Sequence, residues 1–293
     1  MCLKKHFELI FGLFLILFSV YVVLDTLVLE ESYQVVEDIK SNIVNTSNST
    51  TSTDTKYEDE YMTITLKEYY ENDTKIYVAD VELKDSSLLK TAFAKSSYGK
   101  NITEKTSTIA QRVNAILAIN GDYYGVQEKG YVLRNGVIYR SSAVSNKEDL
   151  VIYEDGSFEI INESDITLEE LLENGAYNVL SFGPALIEDK KISVSENDEV
   201  GKAMASNPRT AIGILSDNHY VFVVSDGRTS ESEGLSLYEL AEFMDSLGCI
   251  TAYNLDGGGS STMYFNGKVV NNPTTNGNKI SERSISDIVY VGY

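Results

Sequence analysis

The stretch Ile250–Phe265, ITAYNLDGGGSSTMYF, is the clearest strand–turn–strand pattern in this chain. An apolar run ending at Leu255 has the length and composition of a buried strand. Asp256 follows it, then three glycines, three hydroxyl residues and a second strand-like run. Glycines let backbone N–H groups approach a ligand, and successive N–H groups in such a turn attract anions. The stretch therefore predicts two strands joined by a loop that presents a carboxylate, backbone amides and hydroxyls.

Three other polar clusters lie at the borders of strand-like apolar runs. They are Asn120 with Asp122, Arg209 with Thr210, and Asp226 with Arg228. Because rigid strands fix the residues at their ends, sites in sheet-based folds are often assembled from such borders. Each cluster taken singly is also typical of a capped turn or a surface ion pair. Their recurrence favours one shared site.

The remaining patterns predict an α+β domain with a mixed, largely antiparallel sheet and packed helices. Turn-forming Asn-Gly and Asp-Gly pairs within Tyr131–Ile161 indicate antiparallel hairpins. Helices are expected at about 106–116, 167–174 and 235–247. The second begins with a capping box, and the third has the apolar spacing of an amphipathic helix.

The chain begins with a hydrophobic segment. Lys4 and Lys5 precede an uncharged apolar run, Leu9–Leu24, and basic residues favour the cytoplasmic side of a membrane. Residues 1–29 are therefore predicted to be a cytoplasmic flank and a signal-anchor helix, with the membrane contacted through residues 7–29; a cleaved signal peptide is the alternative. Residues 30–56 are acidic and then small and polar, which predicts a flexible stalk. The domain at 57–293 would then lie outside the cytoplasm, on a single-pass membrane protein.

The formal net charge of −20 limits the partners of this protein. An acidic surface argues against nucleic acid, which needs a basic footprint. An anionic ligand could bind only where arginines and backbone amides reverse the field locally. Two cysteines far apart in the sequence and two histidines provide neither a disulfide scaffold nor a zinc-binding pattern.

Several segments resemble the phosphodiester glycosidase family. They are AINGDYYG (118–125), GPALI (183–187), NPRTAIGI (207–214), VVSDGR (223–228), GLSLYELAEFMDSLG (234–248), NLDGGGSSTMYF (254–265) and the pair Glu282-Arg283. The resemblance covers most of the predicted domain and excludes the anchor and the stalk. Many members have a histidine before the Pro-Arg pair, where this chain has Asn207. The role of that histidine is therefore open in this chain.

The resemblance implies hydrolysis of a sugar-1-phosphodiester, or of a phosphorylated glycan in the cell envelope or an exopolysaccharide, to a free sugar and a phosphomonoester. Arg209 and Arg228 suit the phosphate group because guanidinium groups contact phosphate bidentately. Asp256 is expected to stabilise the developing oxocarbenium ion as nucleophile or base, with Asp226 or Asp122 as its partner. The other predicted substrate-binding residues are Thr210, Asn120, Tyr123, Gly257, Gly258, Gly259, Ser260, Ser261 and Arg283.

Two other classes of function stay open at this stage. A non-catalytic protein that binds phosphoglycans or assists polysaccharide assembly would keep the pocket without turnover. A metal-dependent phosphodiesterase would hold Ca²⁺ or Mg²⁺, since these cations take oxygen ligands. The candidate oxygen ligands are Asp122, Asp226, Asp256, Asn120 and Asn254. No other cofactor is predicted.

Overall fold

The computed structural model describes residues 2–23, 33–38, 50–195 and 206–293. Its contacts divide the chain into two compact units, Met1–Gln34 and Val35–Tyr293. The first unit contains helix α1, Cys2–Val23, which coincides with the predicted hydrophobic segment. Within the described part of the chain, no helix has both the length and the apolar character needed to cross a bilayer. The expected transmembrane helix is not found, and its last residues, 24–29, lie outside the described part.

The second unit is dominated by strands and has three further helices in its described part. These are α2 (Thr106–Arg112), α3 (Leu168–Glu173) and α4 (Leu237–Ser246). All three predicted helices are found, and the first ends at Arg112, four residues before the predicted end. Capping boxes explain where two of the helices begin, because Thr167 and Ser236 each accept a hydrogen bond from the backbone three residues later.

The described strands are 2 to 10 residues long. In chain order they are β1 (Tyr33–Val35), β2 (Thr51–Ser52), β3 (Lys56–Glu58), β4 (Met62–Glu71), β5 (Thr74–Leu83), β6 (Leu89–Phe93), β7 (Ser97–Gly99), β8 (Glu104–Lys105), β9 (Leu117–Asn120), β10 (Val132–Arg134), β11 (Val137–Arg140), β12 (Glu148–Tyr153), β13 (Phe158–Asn162), β14 (Ala176–Leu180), β15 (Ala185–Glu188), β16 (Lys191–Ile192), β17 (Arg209–Ser216), β18 (His219–Ser225), β19 (Thr251–Leu255), β20 (Met263–Phe265), β21 (Lys268–Val269), β22 (Ser284–Ile285) and β23 (Asp287–Val291).

Most of these strands form three sheets. One has nine strands in the order β16-β15-β19-β17-β18-β5-β4-β3-β2, and two have five, β21-β20-β9-β23-β6 and β11-β10-β14-β12-β13. Every pairing in the three sheets is antiparallel. The α+β class and the antiparallel character are confirmed. The expected mixed sheet is wrong for these three sheets, because many of their strands are joined by tight hairpins, which pair strands antiparallel.

The three sheets share one core. Side chains from all of them meet in a central cluster, represented by Ile212, Leu150 and Val289. The opposite face of each sheet is covered by one helix: α4 packs on the nine-stranded sheet, α2 on the β9 sheet and α3 on the β14 sheet. The central strands β17, β18 and β19 therefore have two buried faces, which explains their nearly continuous apolar sequences.

Strand β19 positions the candidate site. It lies between β17 and β15, with Tyr253 and Leu255 in the central core and Ala252 on the side of α4. Because side chains alternate along a strand, Asn254 and Asp256 fall on the same side as Ala252. That side of the sheet, near the beginning of α4, is where the cavity described below opens.

The predicted stalk, residues 30–56, is described only in part. The Val36 N–H donates to the Ser96 carbonyl, and Asp38 forms an ion pair with Arg112. Strand β2 pairs with β3 at the edge of the nine-stranded sheet. Residues 30–32 and 39–49 lie outside the described part, and the domain boundaries at 29 and 56 stay predictions.

Candidate active site

A cavity of about 720 Å³ lies at the ends of β17 and β19, beside the first residue of α4. The described residues that line it are Asn146, Lys147, Glu148, Phe182, Gly183, Pro184, Ser193, Val194, Asn207, Arg209, Arg228, Leu237, Asn254, Asp256, Gly257, Gly258 and Arg283. Six of the predicted site residues are among them: Arg209, Arg228, Arg283, Asp256, Gly257 and Gly258. The sequence-predicted meeting of distant arginines with Asp256 therefore occurs in the fold.

Asp256 is buried and held at one carboxylate oxygen. Its Oδ2 accepts a 2.5 Å hydrogen bond from the Ser260 hydroxyl and lies 3.3 Å from Arg283 Nη2. Arg283 also donates to Ser260 Oγ through Nε and Nη2. Burial raises the pKa of Asp256, and the Ser260 hydroxyl and the Arg283 guanidinium oppose that rise. The carboxyl is therefore fixed in orientation, with its proton affinity set by competing neighbours.

Two further guanidinium groups reach the cavity from the β17 and β18 borders. Arg209 is buried, and its Nε donates to the Leu235 carbonyl at 2.8 Å. Arg228 is exposed, and its Nε and Nη2 donate to Asn207 Oδ1 at 3.1 and 2.8 Å. Partial burial and the nearby Arg283 lower the pKa of Arg228. Asn207 thus orients a cation at the cavity wall.

The triple-glycine loop passes close to the Pro208-Arg209 segment. A Cβ on Gly257 would lie 2.9 Å from the Pro208 carbonyl oxygen, and Gly258 has a left-handed φ of +62°. Both positions therefore require glycine. The Gly258 N–H donates to the Pro208 carbonyl, so this amide serves the loop itself. The expectation that Gly257, Gly258 and Gly259 all offer amides to a ligand is wrong for Gly258, and Gly259 does not line the cavity.

Asn120 and Thr210 are buried behind the site and do not line the cavity. Asn120 Nδ2 donates to the Asp256 carbonyl at 2.5 Å, and Asn120 Oδ1 accepts from the Thr210 hydroxyl and the Thr262 N–H. Thr210 lies on the opposite side of β17 from Arg209, because neighbouring residues of a strand alternate. Both residues hold loops together, which corrects their predicted role as substrate ligands.

Asp122 does not reach the cavity, so its predicted catalytic role is not supported by its position. Its Oδ2 accepts from Arg134 Nη2 at 2.7 Å and from the Ser181 N–H at 2.8 Å. Arg134 also lies 2.8 Å from Asp287 Oδ2. All three side chains are buried, and they connect the two five-stranded sheets. Asp122 therefore belongs to a buried ionic network, which we call the Arg134 network.

Asp226 is also turned away from Asp256. Its Oδ1 accepts from the Asn272 N–H at 2.8 Å, and its Oδ2 accepts from the Tyr77 hydroxyl at 3.3 Å. It lines a separate cavity of about 330 Å³ that contains Lys75. Arg209 pairs with Ser225, so the next residue, Asp226, falls on the other side of the sheet. The prediction that Asp226 is the partner of Asp256 is corrected by this geometry.

Three remaining predicted residues lie outside the cavity lining. Tyr123 is 43% exposed and does not line the cavity. Ser260 contacts the site only through Asp256 and Arg283. Ser261 is buried, and its N–H donates to the Gly258 carbonyl. None of the three lines the cavity, and their predicted contacts with substrate stay predictions.

The three acidic candidates for metal ligands, Asp122, Asp226 and Asp256, do not come together. Asp122 contacts Arg134, Asp226 contacts Asn272, and Asp256 contacts Ser260, as described above. Among the described residues, one group of acidic and histidine side chains has ligand atoms within 4.8 Å of one another, and it consists of Asp80, Glu82 and His219. That group lies on the strand surface of β5 and β18, away from the cavity lining. Of the five candidate ligands, Asn254 and Asp256 line the cavity together, without the other two carboxylates.

Several lining residues were missed at the sequence level. Glu148 begins β12 and is exposed, and Phe182 precedes the Gly183-Pro184 pair. Lys147 Nζ donates to the Phe182 carbonyl at 2.8 Å. Elsewhere in the chain, a carboxylate at the border of a strand predicted a site residue. Glu148 also lies at the border of a strand, but no glycine or arginine flanks it, so its sequence did not indicate a site.

A family model for phosphodiester glycosidases matches residues 113–292, more than half of the chain. This chain therefore belongs to the phosphodiester glycosidase family. It is 29% identical over 259 residues to the SPbeta prophage-derived uncharacterized protein YomE of Bacillus subtilis, covering 80% of this chain and 39% of that protein. It is 27% identical over 172 residues to mouse N-acetylglucosamine-1-phosphodiester alpha-N-acetylglucosaminidase, covering 54% of this chain and 33% of that enzyme. The chain thus spans about two fifths or less of the length of these relatives.

Solved structures share the fold. The catalytic domain of the zebrafish N-acetylglucosamine-1-phosphodiester alpha-N-acetylglucosaminidase, auto-inhibited by its pro-peptide, has a TM-score of 0.64 and 21% identity, covering 90% of this chain and 89% of that one. A hypothetical protein from Synechocystis has a TM-score of 0.55 and 16% identity, covering 79% and 62%. At these identities, the likeness shows the common architecture alone.

Proposed function

We propose that this chain hydrolyses a sugar-1-phosphodiester to a free sugar and a phosphomonoester. The observation that carries the proposal is the grouping of Arg209, Arg228 and Arg283 around Asp256 in one cavity. On a chain of net charge −20, three guanidinium groups in one place create a local site for an anion. Membership of the phosphodiester glycosidase family and the name of the mouse relative support the same reaction.

The proposed chemistry breaks the bond between the anomeric carbon and the phosphate oxygen. The leaving group is a phosphomonoester, and its developing charge is stabilised by the arginine side chains. The sugar passes through an oxocarbenium-like transition state, which a nearby carboxylate stabilises. Asp256 is the buried carboxylate closest to the arginine groups in the described cavity, and its Oδ2 contacts hold it still. We therefore assign to Asp256 the stabilisation of the positive charge that develops at the anomeric carbon.

The first experiment measures turnover of an N-acetylglucosamine-1-phosphodiester by the full chain and by Asp256→Asn. We expect the variant to lose about a thousandfold in kcat, within the range typical of acid–base groups, while its urea unfolding curve is little changed. Asp217→Asn is a matched control, since Asp217 is exposed in the turn between β17 and β18. Equal activity of Asp256→Asn and the wild type would contradict the assignment.

The same assay separates the alternative functions. A phosphoglycan-binding protein would bind the diester without releasing sugar, and its affinity would fall in Arg209→Ala. Hydrolysis in ¹⁸O water identifies the broken bond: label in the sugar supports cleavage at carbon, and label in the phosphate supports a phosphodiesterase that cleaves at phosphorus. Addition of EDTA tests the metal-dependent form directly.

We also propose that the enzyme acts outside the cytoplasm on envelope or exopolysaccharide glycans, attached to the membrane by its N-terminal segment. The support for attachment is the sequence alone: Lys4 and Lys5 followed by the apolar run Leu9–Leu24. Alkaline carbonate extraction of cell membranes tests it. Release of the full chain into the soluble fraction would contradict attachment.

A further inference from the structure

We propose that Glu148 is the second catalytic carboxylate of this site and accepts the proton of the attacking water. The inference rests on the proposed function, which it deepens. Hydrolysis at an anomeric carbon ordinarily uses two carboxyl groups on opposite sides of the scissile bond. Among the described residues that line the cavity, the acidic ones are Asp256 and Glu148. The two partners expected from the sequence, Asp122 and Asp226, are bound by other residues outside the cavity.

The backbone of Glu148 is fixed to β19, the strand that Asp256 directly follows. The buried Tyr253 hydroxyl donates to the Glu148 carbonyl at 2.8 Å and accepts from the Phe182 N–H at 2.9 Å. Tyr253 lies on β19 and precedes Asp256 by three residues, about 10 Å along an extended chain. The same rigid strand therefore anchors the backbone of Glu148 and carries Asp256 directly after its last residue, as suits a catalytic pair.

The loop beside Glu148 is tied to β19 as well. Asn254 Nδ2 donates to the Gly183 carbonyl at 2.7 Å, and the Asn254 N–H donates to the Pro184 carbonyl. The Ala185 N–H donates to Glu148 Oε2 over 3.3 Å. This hydrogen bond is long and therefore weak. It orients the Glu148 carboxylate but leaves its oxygens able to accept a proton. The carboxylate remains exposed at the cavity wall.

The two carboxyl groups have different surroundings within the cavity. Asp256 lies among the arginines, where the anionic phosphate is most stable. Glu148 lies among Phe182 and Pro184, whose apolar surfaces suit the carbon face of a sugar ring. Lys147, the cation next to Glu148, is engaged with the Phe182 carbonyl. Three guanidinium groups against one ammonium group set the direction of the substrate: the phosphate lies among the arginines, the anomeric carbon lies between Asp256 and Glu148, and the rest of the sugar extends toward Glu148.

The step balances as a single displacement. The water oxygen forms a bond to the anomeric carbon while Glu148 takes one of its protons. The bond from that carbon to the phosphate oxygen breaks, and its electron pair leaves with the phosphomonoester. The anomeric configuration is therefore inverted in the first-formed sugar.

The test compares Glu148→Gln, Glu148→Ala and the matched control Glu188→Gln in the full chain. Glu188 is exposed on the neighbouring strand β15 and does not line the cavity. We expect Glu148→Gln to lose at least a hundredfold in kcat, to bind the sugar-1-phosphodiester within threefold of the wild type, and to unfold at the same urea concentration. Glu188→Gln should retain wild-type kinetics.

Sodium azide provides the readout that a structural role would not give. In Glu148→Ala, azide should occupy the space of the missing carboxyl group and attack the anomeric carbon, forming a glycosyl azide of inverted configuration and raising the rate at least tenfold. Activity of Glu148→Gln within threefold of the wild type, loss of substrate binding, absence of azide rescue, or a retained configuration would each overturn the inference. Inactivity of the wild type itself would instead overturn the proposed function, and this role with it.

Discussion

The cavity and the Arg134 network contain the same residue types in two different settings. In the cavity, Asp256 meets Arg283, whose side chain is 41% exposed. In the Arg134 network, Arg134 is 2% exposed, and Asp122 and Asp287 are fully buried. Both clusters lie near the ends of strands, and in the sequence both appear as polar residues that interrupt apolar runs. One is accessible to a substrate and the other is sealed.

The difference shows that solvent access decides whether an ion pair stabilises the fold or binds a ligand. Arg134 gives its donors to two carboxylates and to the Leu133 and Val179 carbonyls, so nothing remains for a ligand. Its partners fix the two five-stranded sheets relative to each other. In the cavity, the guanidinium groups of Arg228 and Arg283 are exposed and border open space, although each also donates to protein acceptors. Removing a charge should therefore affect stability in the network and ligand binding in the cavity.

Arg134→Met should give the largest effect of the comparison. It leaves two buried carboxylates without their cation, and breaking a buried pair in this way costs about 3–5 kcal/mol. Urea denaturation measures the loss. Combining the substitution with Asp122→Asn should recover part of the stability, because a buried charge is removed. A change below about 1 kcal/mol would show that the network is not a structural tie.

Arg228→Met is the same substitution made in the cavity. Arg228 is exposed, so the free energy of unfolding should change by less than about 1 kcal/mol. Binding of the sugar-1-phosphodiester should weaken roughly 30-fold, the value of one charged hydrogen-bonding group of about 2 kcal/mol. Urea denaturation measures the free energy of unfolding, and calorimetry measures the affinity for the sugar-1-phosphodiester. If Arg228→Met lost stability but kept its affinity, Arg228 would have a structural role like that of Arg134, and its proposed role in binding would be wrong.

Stability should depend on pH through Asp287. Burial and the neighbouring Asp122 carboxylate raise the pKa of Asp287 to about 7, against the opposing effect of Arg134. A carboxyl with a raised folded-state pKa contributes its stability below its unfolded pKa and loses it as pH rises through the folded value. The unfolding free energy of the wild type, minus that of Asp287→Asn, should fall by about 2 kcal/mol from pH 5 to pH 8. A difference that rises with pH would contradict this sign.

Ser260→Ala should give the smallest effect. The Ser260 hydroxyl lowers the pKa of Asp256, so its removal should move the limb of the pH–rate profile that reports Asp256 toward higher pH. The expected loss in kcat/KM is roughly fivefold, corresponding to one hydrogen bond of about 1 kcal/mol. Ser260→Thr should restore the profile. An unshifted profile would show that Ser260 does not position or tune Asp256.

The local parts of this fold were predictable from the sequence. Capping residues and apolar spacing gave the positions of α3 and α4, and Asn-Gly and Asp-Gly pairs gave the hairpins. The prediction that Arg209 and Asp256 share a cavity also succeeded, because both end strands that lie next to each other in the sheet. These features depend on a few neighbouring residues, so a short stretch of sequence contains them.

Two of the assignments that failed depend on which face of a strand the residue occupies. Thr210 and Asp226 stand at the predicted borders, yet each alternates to the opposite side from Arg209. Parity within β17 can be read from the sequence, since Ala211 shares the face of Arg209 and Ile212 that of Thr210. The parity of Asp226 relative to Arg209 cannot, because it follows from the pairing of Arg209 with Ser225.

Glu148 shows a second limit. It is joined to the site by Tyr253, which is 105 residues away in the sequence. Nothing in the residues around Glu148 indicates that contact, because a hydroxyl-to-carbonyl bond leaves no local pattern. Long-range packing determined this part of the site.

Because β19 lies between β17 and β15, the catalytic activity should depend on the correct register of β19 against both neighbours. A shift of β19 by one residue against its neighbours would exchange its two faces, burying the carboxyl of Asp256 in the central core and freeing Tyr253 from Glu148. Such a misaligned chain would keep its strand content and could pass spectroscopic checks. We expect preparations that refold incorrectly to lose specific activity before they lose their circular dichroism.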